Sequence, residues 1–326
     1  MAKPKALATR QLFDEARAIL ERQLDVEYWS GAERITRAEL LQHVTDKDAL
    51  ICLPTEKVDE ELLAAAPKLR IAATVSVGYD NIDVPACTRR RVIATNTPGV
   101  LDDTTADFAW TLLMAVSRRL IEGETWVRSG TWPGMDIAQL LGRDVHGKTV
   151  GIIGFGRIGR CVARRAQGFQ MRVLYHNRNR LAPAIEAELH AEFADLDRLL
   201  RESDFVSIHV PLNSETRHLI STDNLAKMKS TAFLINTSRG PVVDEAALVA
   251  ALEQKKIAGA ALDVYEREPV VHPGLLSRKD VVLAPHLGSA TLETRTKMAV
   301  VASQNVVAVF EGRRPPNPLN PDVLGL

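Results

Sequence analysis

At 326 residues the chain is long for one hydrophobic core and calls for about two domains. With 46% hydrophobic and 25% charged residues, its composition is that of a soluble globular protein, which excludes disordered and fibrous classes. The 41 basic residues balance 41 acidic ones with no basic block, so neither nucleic acid nor an anionic membrane is expected as a partner.

The opening MAKPKALATRQLFDEAR lacks the apolar stretch and small-residue cleavage site of a signal peptide. No apolar run approaches the ~18 residues a membrane span needs, so a soluble, cytoplasmic protein is expected. Up to residue 99, strand patterns at Ala6–Thr9, Val26–Trp29, Ala49–Leu53, Ile71–Val75 and Val92–Asn96 alternate with helical ones at Leu12–Gln23, Arg37–His43 and Glu60–Ala66. That alternation predicts a parallel sheet covered on both faces. Val77-Gly78-Tyr79-Asp80-Asn81 and Thr97-Pro98-Gly99 read as turns at strand ends. Asp102–Ile121 reads as one long helix with Asp103 or Thr104 as N-cap. Cys52, Cys87 and Cys161 are odd in number and at no metal-like spacing; they read as reduced core residues, and no metal site is expected.

The apolar run Val150–Ile153 then leads into Gly154-Phe155-Gly156-Arg157-Ile158-Gly159, and Arg160-Cys161-Val162-Ala163 continues as helix. This is the strand–turn–helix setting of a dinucleotide fingerprint. Gly154 allows the tight turn, Gly156 lets a pyrophosphate approach the backbone, and Gly159 lets the helix pack on its strand. The helix N-terminus offers N–H groups and a positive dipole end to the phosphates. Further strands are predicted at Arg172–Tyr175, Phe205–Val210, Ala232–Asn236, Gly259–Leu262 and Val281–Ala284, and helices at Asp195–Arg201, Glu245–Glu253 and Leu292–Phe310. The prolines of Arg313–Pro318 stop the last helix. The expected fold class is α/β, with two Rossmann-like, doubly wound parallel sheets. A dinucleotide-binding domain (101–288) is inserted into a flavodoxin-like substrate domain (1–100 and 289–326).

The end of the second strand of the inserted domain bears on the cofactor. An acidic residue about 20 positions past the first glycine would bind the 2′-hydroxyl of NAD. Here the segment is His176-Asn177-Arg178-Asn179-Arg180, and no carboxylate occurs before Glu186. Asn177 can hydrogen-bond a ribose, while Arg178 and Arg180 can hold a 2′-phosphate, so NADPH is expected as the preferred cofactor, with NADH possible. A solvated basic loop is the alternative reading.

Three later turns bring polar groups to the carboxyl ends of strands, where open α/β sheets bind ligands. They are Thr237-Ser238-Arg239-Gly240, Asp263-Val264-Tyr265-Glu266-Arg267-Glu268-Pro269 and Pro285-His286-Leu287-Gly288-Ser289. Ser238 and Gly288 join the cofactor-side candidates. Hydride transfer to a 2-oxo acid needs a proton donor for the forming alkoxide and a cation that fixes the carboxylate and polarises the carbonyl. His286 titrates near the working range, a nearby Glu268 would favour and orient its imidazolium, and Arg239 offers a planar fork. Taken singly, each residue type is more often structural; the other seven histidines keep that reading, with His176 beside the cofactor strand.

These segments resemble the D-isomer-specific 2-hydroxyacid dehydrogenase family over essentially the whole chain. The matching stretches are VGYDNID (77–83), TTADFAWTLLMAVSRR (104–119), GFGRIG, HVPLNSETRHLI (209–220), NTSRGPVVDEAALVAAL (236–252), ALDVYEREP (261–269) and APHLGSAT (284–291). The resemblance implies a homodimer whose two domains flank an active-site cleft, with Arg239, Glu268 and His286 as the catalytic set. It also implies that Val77 and Gly78 present amides to the substrate carboxylate, and that Thr105, Val210, Pro211, Thr216, Thr237 and Asp263 lie around the cofactor. Within the family the resemblance is strongest to NADPH-dependent glyoxylate/hydroxypyruvate reductases and 2-ketogluconate reductases, on account of HNRNR. Some of these lend a tryptophan to the neighbouring subunit's site after a GGW-like turn; here the turn is Gly130-Thr131-Trp132 and the downstream position is Met135. Leu101, Trp132 and Met135 are therefore expected to shape the pocket. The alternatives are an NAD-dependent D-lactate or phosphoglycerate-type dehydrogenase, against which the lack of a C-terminal regulatory extension weighs for the latter, and a nucleotide-sensing binding protein.

Overall fold

The structure, a computed structural model, describes residues 2–324. It divides into two compact units: the chain up to Leu101 together with that from Thr291 onward, and Asp102–Ala290.

In chain order the first unit holds β1 (Lys5–Ala8), α1 (Asp14–Glu21), β2 (Asp25–Tyr28), α2 (Arg37–His43), β3 (Ala49–Cys52), α3 (Glu60–Ala65), β4 (Ile71–Thr74), α4 (Val84–Arg89) and β5 (Ile93–Thr95). Its strands form one parallel sheet in the order β2-β1-β3-β4-β5, the flavodoxin-like arrangement. Both faces are apolar, and the period of two decides which residue goes where. Leu7, Leu50, Cys52 and Ala72 pack under α2, α3 and α4. Ala6, Ala8, Ala49, Ile51, Ile71 and Ala73 face the other layer, which includes Leu20 of α1 and Ala302 and Val306 from the C-terminal part of the chain.

The second unit opens with α5 (Asp102–Ser117) and α6 (Leu120–Arg128), then runs β6 (Thr149–Ile153), α7 (Arg157–Gly168), β7 (Arg172–His176), α8 (Pro183–Glu188), β8 (Ala191–Phe193), α9 (Leu196–Glu202), β9 (Phe205–Ile208), α10 (Thr222–Leu225), β10 (Phe233–Asn236), α11 (Glu245–Glu253), β11 (Gly259–Leu262), α12 (Pro273–Leu276) and β12 (Val281–Leu283). The seven strands are all parallel in the order β12-β11-β10-β9-β6-β7-β8. The winding direction reverses between β6 and β9, and such a switch point is where ligands settle at the carboxyl ends of strands. The register brings those ends level: Ile153 lies opposite His176 and Ile208, and Asn236 opposite Ile208 and Leu262. α13 (Leu292–Phe310) returns the chain to the first unit, where it packs on α1 and β4. Gly312, at φ +70, follows its end. No described helix is long and apolar enough to cross a membrane.

Two expectations are corrected. The helix predicted over Asp102–Ile121 stops at Ser117, because the Ser117 carbonyl accepts the N–H of Arg143 at 2.8 Å and Arg119 turns left-handed at φ +52 before α6 begins. Asp103 and Thr104 are not its N-cap, since α5 starts at Asp102 and both lie in its first turn. Short elements without a full period of apolar residues, α4, α8, β8, α10 and α12, were not legible from periodicity. The three cysteines are free and buried.

Candidate active site

The fingerprint turn is shaped by what its glycines exclude. Gly154 sits at φ +92, and a Cβ there would come within 2.6 Å of the His209 backbone. At Gly159 a side chain would run into the Gly154 carbonyl, which is why α7 can lie directly on β6. Gly156 is different: nothing stands within 4 Å of its Cβ direction, and it caps α7 with no side-chain hydrogen bond. The first N–H groups of α7 thus receive no side-chain cap from Gly156. Phe155 is buried and stacks on Tyr175 at 4.4 Å, so only its backbone borders the turn. Arg157 is exposed, and Ile158 packs on the α5–α7 core.

The segment after β7 departs from its expected role in part. Asn177 uses its amide oxygen to accept the Phe155 N–H at 2.8 Å, tying the fingerprint to β7. The fork of Arg180 closes on Glu186, with Nε and Nη2 at 2.9 and 2.8 Å from its two oxygens. Glu186 also accepts the Tyr175 hydroxyl at 2.6 Å, and these bonds, that of Arg180 first, hold its carboxyl down at about 2. Arg180 is thus committed within the protein, whereas Arg178 is 79% exposed and 3.3 Å from Glu215. His176 turns Nδ1 to the Ala194 carbonyl at 3.0 Å and stacks on Phe193, away from β6.

On the other side of the switch point, Thr216 ties its own turn by donating to the Pro211 carbonyl at 2.6 Å, with Val210 half-buried beside it. Asn236, at the end of β10, accepts the N–H and hydroxyl of Ser238 at 3.0 and 2.8 Å and donates to the Arg239 carbonyl at 3.0 Å. The Thr237 hydroxyl is buried without a partner among the described residues. An open glycine backbone, an uncapped helix N-terminus and an orphaned buried hydroxyl on one sheet edge fit a nicotinamide dinucleotide.

Asp263 follows β11, fully buried, and accepts the N–H groups of Leu287 and Gly288 at 2.6 and 2.8 Å. Burial pushes its carboxyl up to about 6, against the pull of those two donors. The contact bends the chain after β12 so that His286 sits at φ +57 with its N–H on the Asp263 carbonyl. Gly288 packs closely here, as a Cβ would press on Asp263 and Thr105 at 3.2 and 3.4 Å. His286 Nδ1 and Glu268 Oε2 are 3.0 Å apart, and Glu268 Oε1 accepts the Tyr265 N–H at 3.1 Å. Burial works against ionisation of Glu268, but His286, the Tyr265 N–H and the Arg239 guanidinium outweigh it and leave the carboxyl below its usual range. Arg239, Glu268 and His286 thus converge within the second unit.

Val77 and Gly78 belong to the first unit. Their carbonyls accept from Asn96 Nδ2 at 2.7 Å and Ser76 Oγ at 2.6 Å, and their N–H groups meet no acceptor among the described residues. Leu101 is buried at the end of that unit, whereas Trp132 and Met135 are exposed in the second. Sequence reasoning passed over Glu245, Glu266 and His218. Glu245 carried a signal all the same: it shares one helical face with Leu248, Val249 and Leu252, a carboxylate in the phase of the core.

The profile of the "D-isomer specific 2-hydroxyacid dehydrogenase, NAD binding domain" matches residues 110–288. The chain belongs to the D-isomer specific 2-hydroxyacid dehydrogenase family. It is an NAD(P)-dependent oxidoreductase acting on the CH–OH group, and in reverse on 2-oxo acids. Among particular proteins it is 51% identical to a glyoxylate reductase of Thermococcus kodakarensis, over 99% of this chain and 98% of that one. A glyoxylate reductase of Aeropyrum pernix is 48% identical over 99% and 98%. Of solved structures, a glyoxylate reductase from Paecilomyes thermophila superposes with a TM-score of 0.88 at 35% identity, covering 99% and 100%. An NADPH-dependent glyoxylate/hydroxypyruvate reductase from Sinorhizobium meliloti, in complex with NADP and malonate, does so with 0.87 at 33%, covering 98% and 97%.

Proposed function

We propose that the chain reduces a small 2-oxo acid, with glyoxylate, hydroxypyruvate and 2-ketogluconate as its candidates, to the D-2-hydroxy acid at the expense of NADPH. The observation that carries this reading is the convergence of Arg239, Glu268 and His286 at the edge of the sheet that bears the fingerprint. Gly154–Gly159, Thr237, Ser238, Asp263, Gly288 and Thr105 would hold the dinucleotide, with Val210, Pro211 and Thr216 bordering it. When bound, the nicotinamide supplies the hydride that the 2-carbon accepts. The Arg239 fork binds the substrate carboxylate and polarises the carbonyl. His286, oriented at Nδ1 by Glu268, presents Nε2 and gives its proton to the alkoxide oxygen. In the first unit, the adjacent N–H groups of Val77 and Gly78 suit an anion such as a carboxylate.

Following cofactor absorbance with the three 2-oxo acids, NADPH and NADH in parallel, tests this reading; no turnover with any of them would overturn it. Arg178 carries the preference for a 2′-phosphate, with Arg180 held on Glu186. Arg178→Ala weakens NADPH about tenfold, the lower end for a charge-assisted bond, and leaves NADH unchanged. Equal losses for both cofactors would remove Arg178 from that role. The engagement of Arg180 favours a second reading, with NADH as the working cofactor, and the same assay separates the two.

The end of α6 and the arm after it support a homodimer. Val127, Met135, Ile137 and Leu141 are all more than half exposed, Ile137 at 91%, and hollows of about 580 and 560 Å³ flank α6. Large apolar side chains left exposed close together in the sequence suit an interaction surface, and the second copy of this chain is their proposed cover. Ile137→Asp shifts the protein from twofold to single-chain mass in light scattering; an unchanged mass would place the contact elsewhere. A soluble, cytoplasmic enzyme completes the reading.

A further inference from the structure

The loops bearing Arg239 and Glu268 are clasped together behind the site by groups that take no part in the chemistry above. Glu245, the first residue of α11, is buried at 5% exposure, yet its Oε1 accepts the Glu266 N–H at 2.6 Å. Its own N–H is returned to Glu266 Oε2 at 3.3 Å. The other oxygen of Glu266 takes Nε2 of His218 at 2.6 Å. The His218 N–H in turn donates to the Pro241 carbonyl at 2.8 Å, two residues beyond Arg239. The parallel bridge of Ile220 with Val243 extends this seam, with the N–H of Ile220 on Val242 at 3.0 Å and that of Asp244 on Ile220 at 3.1 Å. At the centre, Gly240 lies against the Tyr265–Glu266 peptide so closely that a Cβ would fall within the Tyr265 carbonyl.

We propose that Glu245, Glu266 and His218 form a buckle that sets Arg239 and Glu268 in register, with Glu245 as its principal positioning residue. The link to the chemistry is short. Glu245 pins the peptide whose carbonyl side carries Tyr265, the Tyr265 N–H holds Glu268 Oε1, and Glu268 Oε2 holds His286. A loosened 265–266 peptide turns Glu268 away from His286 Nδ1 without touching the fingerprint on the far side of β9. This inference rests on the catalytic reading of Arg239, Glu268 and His286.

The test uses the full chain with NADPH and glyoxylate. Glu245→Ala lowers kcat about 10- to 100-fold, as misplacing a reacting group by an ångström does, with a smaller rise in KM through Arg239, cofactor affinity close to the parent's and a fall in melting temperature too small to account for the lost turnover. Glu245→Gln, whose amide oxygen can still accept the Glu266 N–H, restores most of kcat. His218→Asn is the second variant. Asn tolerates the left-handed φ of +51 but is too short to reach Glu266, and the lost clasp gives a smaller fall confined to kcat. If Glu245→Ala does not fold, His218→Asn decides alone. The buckle is overturned by parental kcat in either variant, by a Gln variant no better than Ala, or by kcat falling in step with cofactor affinity and melting temperature. A fully active His286→Ala would remove the catalytic reading beneath it, whereas a crippled His286→Ala beside a fully active Glu245→Ala removes the buckle only.

Discussion

Replacing His286 with Ala lowers turnover by about 10²–10⁴, the range of a lost general acid, while cofactor binding measured by fluorescence is retained. The expectation follows from what surrounds the ring. Its backbone is fixed by Asp263, its Nδ1 by Glu268, and no other group is assigned the proton. His286 stands at φ +57, a left-handed backbone that His, Asn and Asp adopt more readily than Ala, so backbone strain in the Ala variant could mimic part of a catalytic defect. His286→Asn accepts the left-handed backbone and removes only the acid. Turnover within tenfold of the parent in the Asn variant would take His286 out of the mechanism.

The second large effect is structural in origin. Gly240→Ala places a methyl group inside the Tyr265 carbonyl, and both partners are backbone, so no side chain can swing aside. The loops carrying Arg239 and Glu268 must part, at a cost of about 3 kcal/mol or more, the upper end for overpacking. For a unit of this size that is a fall of roughly 6–12 °C in melting temperature, and turnover falls further than stability alone would dictate. A melting temperature within about 2 °C of the parent, by calorimetry, would show that the loops have room to spare.

Most of the scaffold was legible because it rests on periodicities that the chain carries locally. β3 reads as an unbroken apolar run and β4 as one that ends on Thr74, as strands buried on both faces do, and α11 and α13 were delimited at their observed ends. The end of α5 was not, since its cause lies in Arg143, more than 20 residues on, whose N–H takes the Ser117 carbonyl. The same distinction runs through the site. Glycines announce themselves because only they tolerate φ +92 or a carbonyl at their Cα, and His286, Glu268 and Arg239 stood at strand ends. The partner of an arginine is a fact of tertiary structure, and nothing in HNRNR foretold that Arg180 would close its fork on Glu186 while Arg178 makes a single contact with Glu215.

If the cofactor reading proposed above holds, that attachment places the choice of coenzyme under the control of a residue outside the reaction centre. Tyr175 and Glu186 act as a mooring for one guanidinium, and cutting the line with Glu186→Gln would let a second cation drift toward the ribose end of the groove. Selection could thus retune the enzyme between the two nicotinamide pools of a cell by a change on α8 that leaves the acid, its orienting carboxylate and the substrate grip unaltered.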